Sequence, residues 1–375
     1  MRKTLLVSAI GVAISGHVSA QELQPYGISS DLVNVHNRCI VRFDDQTRST
    51  DVRGKANAMA ARSNATLKHV YSRSIKGMTI NMPCDAAKKA FSSESGIQSF
   101  TPDSVVSISR GRPGGGGGGG DSQQVSYGTP RVGGPLDGTG YTAWVIDSGV
   151  DLDHPDLNVD ASRGFTSISN GGMDDQNGHG THVAGTIGAI DNTIGALGVA
   201  PNTTIVPVRV LDRRGSGSTS GVIAGVDHVA ANADPGDCAN MSLGGGVSTV
   251  LDDAVKAAAS QSGAYFVLAA GNDGDDANNH SPARANGNRV YTISAVDSND
   301  NMPSWSNYGN PPVDYAAPGV GIFSLWKSGG TNTISGTSMA APHACAVIML
   351  NNGNPGTDGT AGNDPDGNPD RIISL

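Results

Sequence analysis

Three residue types that lie far apart in the chain could together activate an alcohol. Asp147 ends the run Val145-Ile146-Asp147, and His179 sits in Asn177-Gly178-His179-Gly180-Thr181-His182. Ser338 sits in Gly336-Thr337-Ser338-Met339-Ala340-Ala341-Pro342. A serine hydroxyl is a weak nucleophile until a histidine takes its proton. That histidine needs a carboxylate to fix its tautomer and stabilise its charged form. Asn272, in Ala270-Gly271-Asn272-Asp273, adds an amide able to donate to an oxyanion on the attacked carbonyl. Taken singly, each has an ordinary structural explanation: a turn-capping aspartate, a structural histidine, an N-cap serine. The pair His179 and His182 lacks a glutamate or cysteine at metal-ligand spacing, which argues against a zinc reading.

Strand ends and helix starts must position these groups. Residues 141–146 read as a short buried strand, with Asp147 at the edge where open α/β sheets bind ligands. The small-residue run 181–189 reads as a helix opened by His179, and the flanking glycines allow close approach to the imidazole. Ser338 opens an apolar helix running to about Leu350, with Pro342 in its first turn. A helix start favours negative charge developing beside the hydroxyl. Residues 265–270 read as an apolar strand leading to Asn272. No Gly-x-Ser-x-Gly surrounds Ser338, which argues against a lipase-like elbow. The Gly-Ser run 215–221 lacks the lysine of a phosphate loop.

Arriving in the order Asp, His, Ser, these segments resemble the subtilisin-like serine proteases (subtilases), with wording close to both subtilisin and proteinase K, from near Gln123 to about Leu350. The resemblance implies an α/β fold with a mostly parallel sheet flanked by helices, and a serine endopeptidase working through an acyl-enzyme. It casts Asp147, His179 and Ser338 as the triad and Asn272 as the oxyanion donor. It also implies that Ser242, Leu243, Gly244 and Gly245 pair with substrate backbone opposite Gly215, Ser216 and Gly217, with Ala269 and Gly271 alongside. Two such edges clamp an extended peptide by strand addition. The loop 190–201 matches the subtilisin calcium loop. A structural calcium is therefore implied, held by the side chains of Gln123, Asp156 and Asn192 and the carbonyls of Ile190, Ile194 and Ala196. No catalytic cofactor is expected. Thr219 and Val222, where subtilisin has bulkier pocket-lining residues, suggest broad specificity with an apolar or aromatic preference.

Met1-Arg2-Lys3, an apolar stretch and Val18-Ser19-Ala20 read as a secretory signal peptide over residues 1–20, so a secreted protein is expected. Residues 21–110 are expected to form a propeptide. Its domain, about 31–109, reads as strand 39–43, helix 52–63, strands 69–74 and 78–82, helix 85–93 and strand 97–108. That is the β-α-β-β-α-β order of a small ferredoxin-like α+β unit. His69-Val70-Tyr71 and Lys76-Gly77-Met78 are similar to the subtilase propeptide, which implies an intramolecular inhibitor and folding assistant. Residues 111–121, with seven consecutive glycines, read as a linker holding or adjoining the maturation cut. Residues 122–375 are expected to be the peptidase domain, beginning at Ser122. Its closing residues 367–373 are similar to the end of proteinase K-like enzymes.

The net charge of −9 and the lack of long Lys/Arg runs argue against nucleic acid as a partner. No stretch is long enough for a membrane span. The expected partners are peptide substrates and the chain's own propeptide, with the protein a monomer. The acidic clusters 273–276 and 364–370 read as solvated turns. Cys39 and Cys84 are expected at opposite ends of parallel strands, too far apart to bond. Cys238 and Cys345 both fall roughly 10–13 Å below the active site, where a bond and a buried pair of free thiols are both open, and an oxidising destination tips the balance only slightly toward the bond.

Overall fold

A computed structural model describes residues 31–108 and 122–375. The expected signal peptide and glycine linker lie outside these residues. Two units result, and each follows from where its apolar residues fall.

Among the described residues, the first unit has one four-stranded antiparallel sheet. Its order is Leu67–Tyr71, Gly77–Ile80, Cys39–Phe43, Ile97–Pro102. Strand alternation gives Cys39–Phe43 two apolar faces. Cys39, Val41 and Phe43 pack with Val52, Ala56 and Met59 of helix Ser49–Arg62 and with Ala87 of helix Cys84–Ala90. Ile40 points the other way, joining a core that belongs mostly to the second unit.

Two expectations are corrected here. Cys39 and Cys84 form a disulfide, with Cα atoms 4.9 Å apart. Strands Cys39–Phe43 and Gly77–Ile80 run antiparallel, not parallel, and Cys39 lies opposite Ile80. The chain therefore needs only four residues beyond Ile80 to bring Cys84 to the same end. The expected single strand 97–108 is also two strands with different partners. Ile97–Pro102 stays in the sheet, while Val105–Ser107 leaves it to pair with Ser216–Ser218. The break is made by Asp103, whose carboxylate accepts from the Ser220 N–H at 2.9 Å and the Ser220 hydroxyl at 2.6 Å.

The second unit is the expected mostly parallel sheet flanked by helices. Parallel strands run in the order Arg371–Ser374, Val313–Pro318, Val290–Val296, Tyr265–Ala269, Cys238–Met241, Thr142–Asp147, Thr204–Arg209, Asn158–Val159. Gly356–Thr360 adds an antiparallel edge beside Arg371–Ser374. Both faces are covered, so these strands read as continuous apolar runs rather than alternating ones. Val145, Val267 and Ala269 face helices His179–Gly188 and Thr337–Leu350. Trp144, Ile146, Phe266 and Leu268 face helices Thr219–Asn232 and Thr249–Ser262. Pro342 falls in the second turn of its helix rather than the first. Cys238, on a central strand, is disulfide-bonded to Cys345 on helix Thr337–Leu350, which decides between the bond and a pair of free thiols.

Candidate active site

Asp147 closes its strand at the C-terminal sheet edge and is fully buried. Both of its carboxylate oxygens lie 2.9 Å from His179 Nδ1. A carboxylate accepts only, so Nδ1 carries the proton and Nε2 is the basic end. Close approach requires the flanking glycines. Gly178 caps the helix at φ 113°, and a Cβ there would overlap Trp326. A Cβ on Gly180 would overlap the Gly149 carbonyl. Burial works against the charged form of His179, but the Asp147 carboxylate, aided by Asp175, outweighs it and holds the imidazole above its ordinary value.

Asp175 was not singled out in the sequence. Its buried carboxylate accepts from the Asn177, Gly178 and Thr181 N–H groups and from the Thr181 and Ser148 hydroxyls. The Ser148 oxygen in turn accepts from the Gly180 N–H at 3.0 Å. This one group therefore fixes the helix start that presents His179. Its signal was an acidic residue three positions ahead of a glycine that caps an apolar helix.

Ser338 lies in the first turn of helix Thr337–Leu350 and is 1% exposed. Its hydroxyl donates to the Ser242 carbonyl at 3.2 Å, while the Ser242 hydroxyl donates to the Ser338 carbonyl at 2.8 Å. Among the described residues His179 Nε2 is buried and has no hydrogen-bond partner. The carboxylate–imidazole pair is thus assembled, with the serine proton resting on Ser242. Asn272 is fixed from the same helix: its side-chain oxygen accepts from the Thr337 N–H at 2.8 Å and the Thr337 hydroxyl at 2.9 Å. That turns the amide so that its N–H₂ end is the one directed away from Thr337.

The two expected peptide-binding edges face each other, and the chain's own segment lies between them. Val105–Ser107 pairs antiparallel with Ser216–Ser218. On the other side Ser107 and Gly244 exchange both backbone hydrogen bonds at 2.9 Å, and the Ile108 N–H donates to the Gly215 carbonyl at 2.9 Å. Gly215 has φ +74°, and a Cβ there would press on the Ile108 side chain. Gly244, Gly245, Ala269 and Gly271 line a cavity of about 490 Å³ beside Ile108. Leu243 does not; it is buried in the core.

Five residues of the expected calcium site, Gln123, Asp156, Ile190, Asn192 and Ala196, are linked by hydrogen bonds through the groups expected of them, whereas the Ile194 carbonyl is not among those contacts. Gln123 Nε2 donates to the Ile190 and Ala196 carbonyls at 2.8 and 3.1 Å. Asn192 Nδ2 and the Ala196 N–H donate to the two Asp156 oxygens at 2.6 and 2.9 Å. Ile194 joins through its N–H, which donates to Asn192 Oδ1 at 2.7 Å. One carboxylate, backbone carbonyls and two amides, each with an oxygen to offer, suit a hard cation. Among the described residues no group of three or more His, Cys, Asp or Glu side chains could hold a metal. Any ion at this place would rely on neutral oxygens plus Asp156.

Residues 138–357, more than half of the chain, match the subtilase family. Alkaline serine exoprotease A of Vibrio alginolyticus is 54% identical over 57% of this chain and 39% of its own length. The extracellular serine proteinase of Thermus sp. (strain Rt41A) is 48% identical over 57% of this chain and 50% of its own. The matched part of the chain thus spans half or less of these two curated relatives. Alkaline serine protease ver112 of Corniculantispora psalliotae is 34% identical over 92% of this chain and 88% of its own length. The crystal structure of a cold adapted subtilisin-like serine proteinase has a TM-score of 0.59 and 43% identity, covering 66% of this chain and 97% of that one.

Proposed function

This chain belongs to the subtilase family, and on that premise we propose that it is a secreted serine endopeptidase made as a self-maturing precursor. The observation that carries the reading is the chain's own Val105–Ser107, paired as a strand between the two edges beside Ser338. A peptide substrate would bind the same way. Ser338 Oγ attacks the carbonyl carbon as its proton passes to His179 Nε2, and Asp147 stabilises the imidazolium. The oxyanion is held by the Asn272 amide and the Ser338 N–H. Collapse breaks the C–N bond, the His179 proton leaves with the amine, and water releases the acyl group by the reverse sequence. The relatives named as an exoprotease and an extracellular proteinase support secretion. Among the described residues no helix is long and apolar enough to cross a membrane.

Residues 31–108 would act as the inhibitory propeptide, through the cleft segment and a polar seam with the second unit. The ladder also suggests where maturation begins. Ser107 is paired with Gly244 and the Ile108 N–H donates to the Gly215 carbonyl, so both edges still clamp the segment at its last described residues. The first cut would then fall beyond Ile108, in or close to the glycine run, with later trimming toward Ser122. The test compares wild type with Ser338→Ala by mass spectrometry and N-terminal sequencing. Wild type should yield a shorter chain starting beyond Ile108, whereas the variant should stay uncut and inactive on casein. Normal maturation of the variant would mean that another enzyme makes the cut.

Calcium at Gln123, Asp156, Ile190, Asn192, Ile194 and Ala196 would supply structure, not chemistry. It would offset the Asp156 charge and strengthen the tie between 123–124 and the loop, already made by the Gln123 N–H to Thr193 and the Gln124 N–H to Gly195, both at 2.9 Å. A chelator should lower the melting temperature of the mature enzyme, and added calcium should restore it.

A further inference from the structure

The cavity beside Ile108 is lined by Gly244, Gly245, Gly246, Ala269, Ala270 and Gly271. Asp273, Asn279 and His280 add polar groups to its lining, together with Ala283. His280 is held in place as the strand partner of Gly246. Its two ring nitrogens face two carboxylates: Nε2 is 3.3 Å from Asp275 Oδ2, and Nδ1 is 3.6 Å from Asp273 Oδ2. Asn279 donates to both oxygens of Asp275, at 3.2 and 3.1 Å, which fixes that group. Among the described residues no lysine or arginine lines the cavity, and Arg284, next to Ala283, is turned to Asp252 at 3.5 Å. Two carboxylates against one imidazole leave excess negative charge whether or not the ring is protonated.

We infer that this pocket selects a lysine or arginine side chain on the residue whose carbonyl is attacked, with Asp273, Asp275 and His280 setting the preference. The inference rests on the peptidase reading. The glycine and alanine lining accepts the aliphatic stem by apolar contact, and the acidic groups receive the charged head. Asp273 is 64% exposed at its side chain, so an incoming cation can reach it without disturbing the core. Thr219 and Val222, from which an apolar or aromatic preference was expected, do not line this cavity. Val222 is fully buried in the core, and Thr219 is bound to the Ser104 hydroxyl at 2.8 Å. The chain's own maturation does not need the pocket filled, because a tethered segment is held at high effective concentration.

The test uses mature enzyme and tetrapeptide anilides identical except at the last residue, which is Lys, Arg, Met, Phe or Glu. Lys and Arg should exceed Met by roughly tenfold in kcat/KM at low salt, with the margin shrinking in about 1 M NaCl. Asp273→Asn should lower kcat/KM for Lys and Arg about fivefold or more while leaving Phe within about twofold. A tenfold advantage of Phe over Lys, unchanged by Asp273→Asn, would overturn the pocket assignment alone. Failure to cleave any anilide, with Ser338 unlabelled by a fluorophosphonate, would instead overturn the peptidase reading beneath it.

Discussion

The seam between the two units differs in kind from the interior of the second. At the seam, carboxylates grip backbone. Asp227, on helix Thr219–Asn232, accepts from the N–H groups of Ser72, Arg73 and Ser74, the last two at 2.7 Å. Asp103 accepts from Ser220 across the seam, Asp31 from the Ser169 N–H at 3.0 Å, and Arg42 pairs with Asp253 at 2.6 Å. Apolar help comes from Ile40, Tyr71 and Ile75. Inside the second unit, helices on both faces of a parallel sheet bury apolar side chains, and a disulfide crosses the core. Directional polar bonds set an orientation, and water can replace them once the chain is cut. Buried apolar area is given up only on unfolding. A seam of this kind would suit the propeptide role proposed for residues 31–108.

The comparison can be broken most severely at the core-held site. Asn272→Ala should lower turnover about 10²–10³-fold, the loss known for the equivalent donor of subtilisin, with little effect on how residues 31–108 are held. Steady-state kinetics on a peptide anilide reads it. Replacing Cys238 and Cys345 together by alanine should cost the mature enzyme about 2–4 kcal/mol of stability, seen as a lower melting temperature with kcat preserved at low temperature. A comparable drop in kcat would mean that the bond positions the site as well as stapling it.

At the seam, Asp227→Asn should speed release of the cut segment about tenfold or more while leaving the mature enzyme's melting temperature and kcat unchanged. Equal loss of core stability would erase the distinction. The smallest effect is on pH. Because Asp147 and Asp175 hold His179 above the ordinary imidazole value, the base is lost as pH falls through a point above about 6.5. The acid limb of kcat/KM should lie there, and Asp147→Asn should shift it downward. By the same linkage His179 adds stability below its unfolded value, and this is lost as pH rises through the folded one.

The site was legible where chemistry and local pattern coincide. Asp147, His179, Ser338 and Asn272 each end or begin an element whose apolar period is visible in the letters. The parallel sheet was legible too, since strands buried on both faces read as unbroken apolar runs. What escaped was non-local. The break at Asp103 in the run 97–108 depends on Ser220, 117 positions away. The bond Cys39–Cys84 was misjudged because strand direction, which spacing alone does not reveal, decides which ends meet. Asp227 looks like any polar residue of a helix until residues 72–74 lie over it. His280 and Asp275 are close in sequence, yet only the cavity gives their proximity a meaning.

Cys238 begins the strand that leads to Ser242, and Cys345 lies two turns into the helix that carries Ser338. Their bond, with the reciprocal contacts of Ser242 and Ser338, makes one rigid bracket of the attacking group and the wall it faces. Thermal agitation would then shift the two as a block, preserving their spacing until the bracket itself tears.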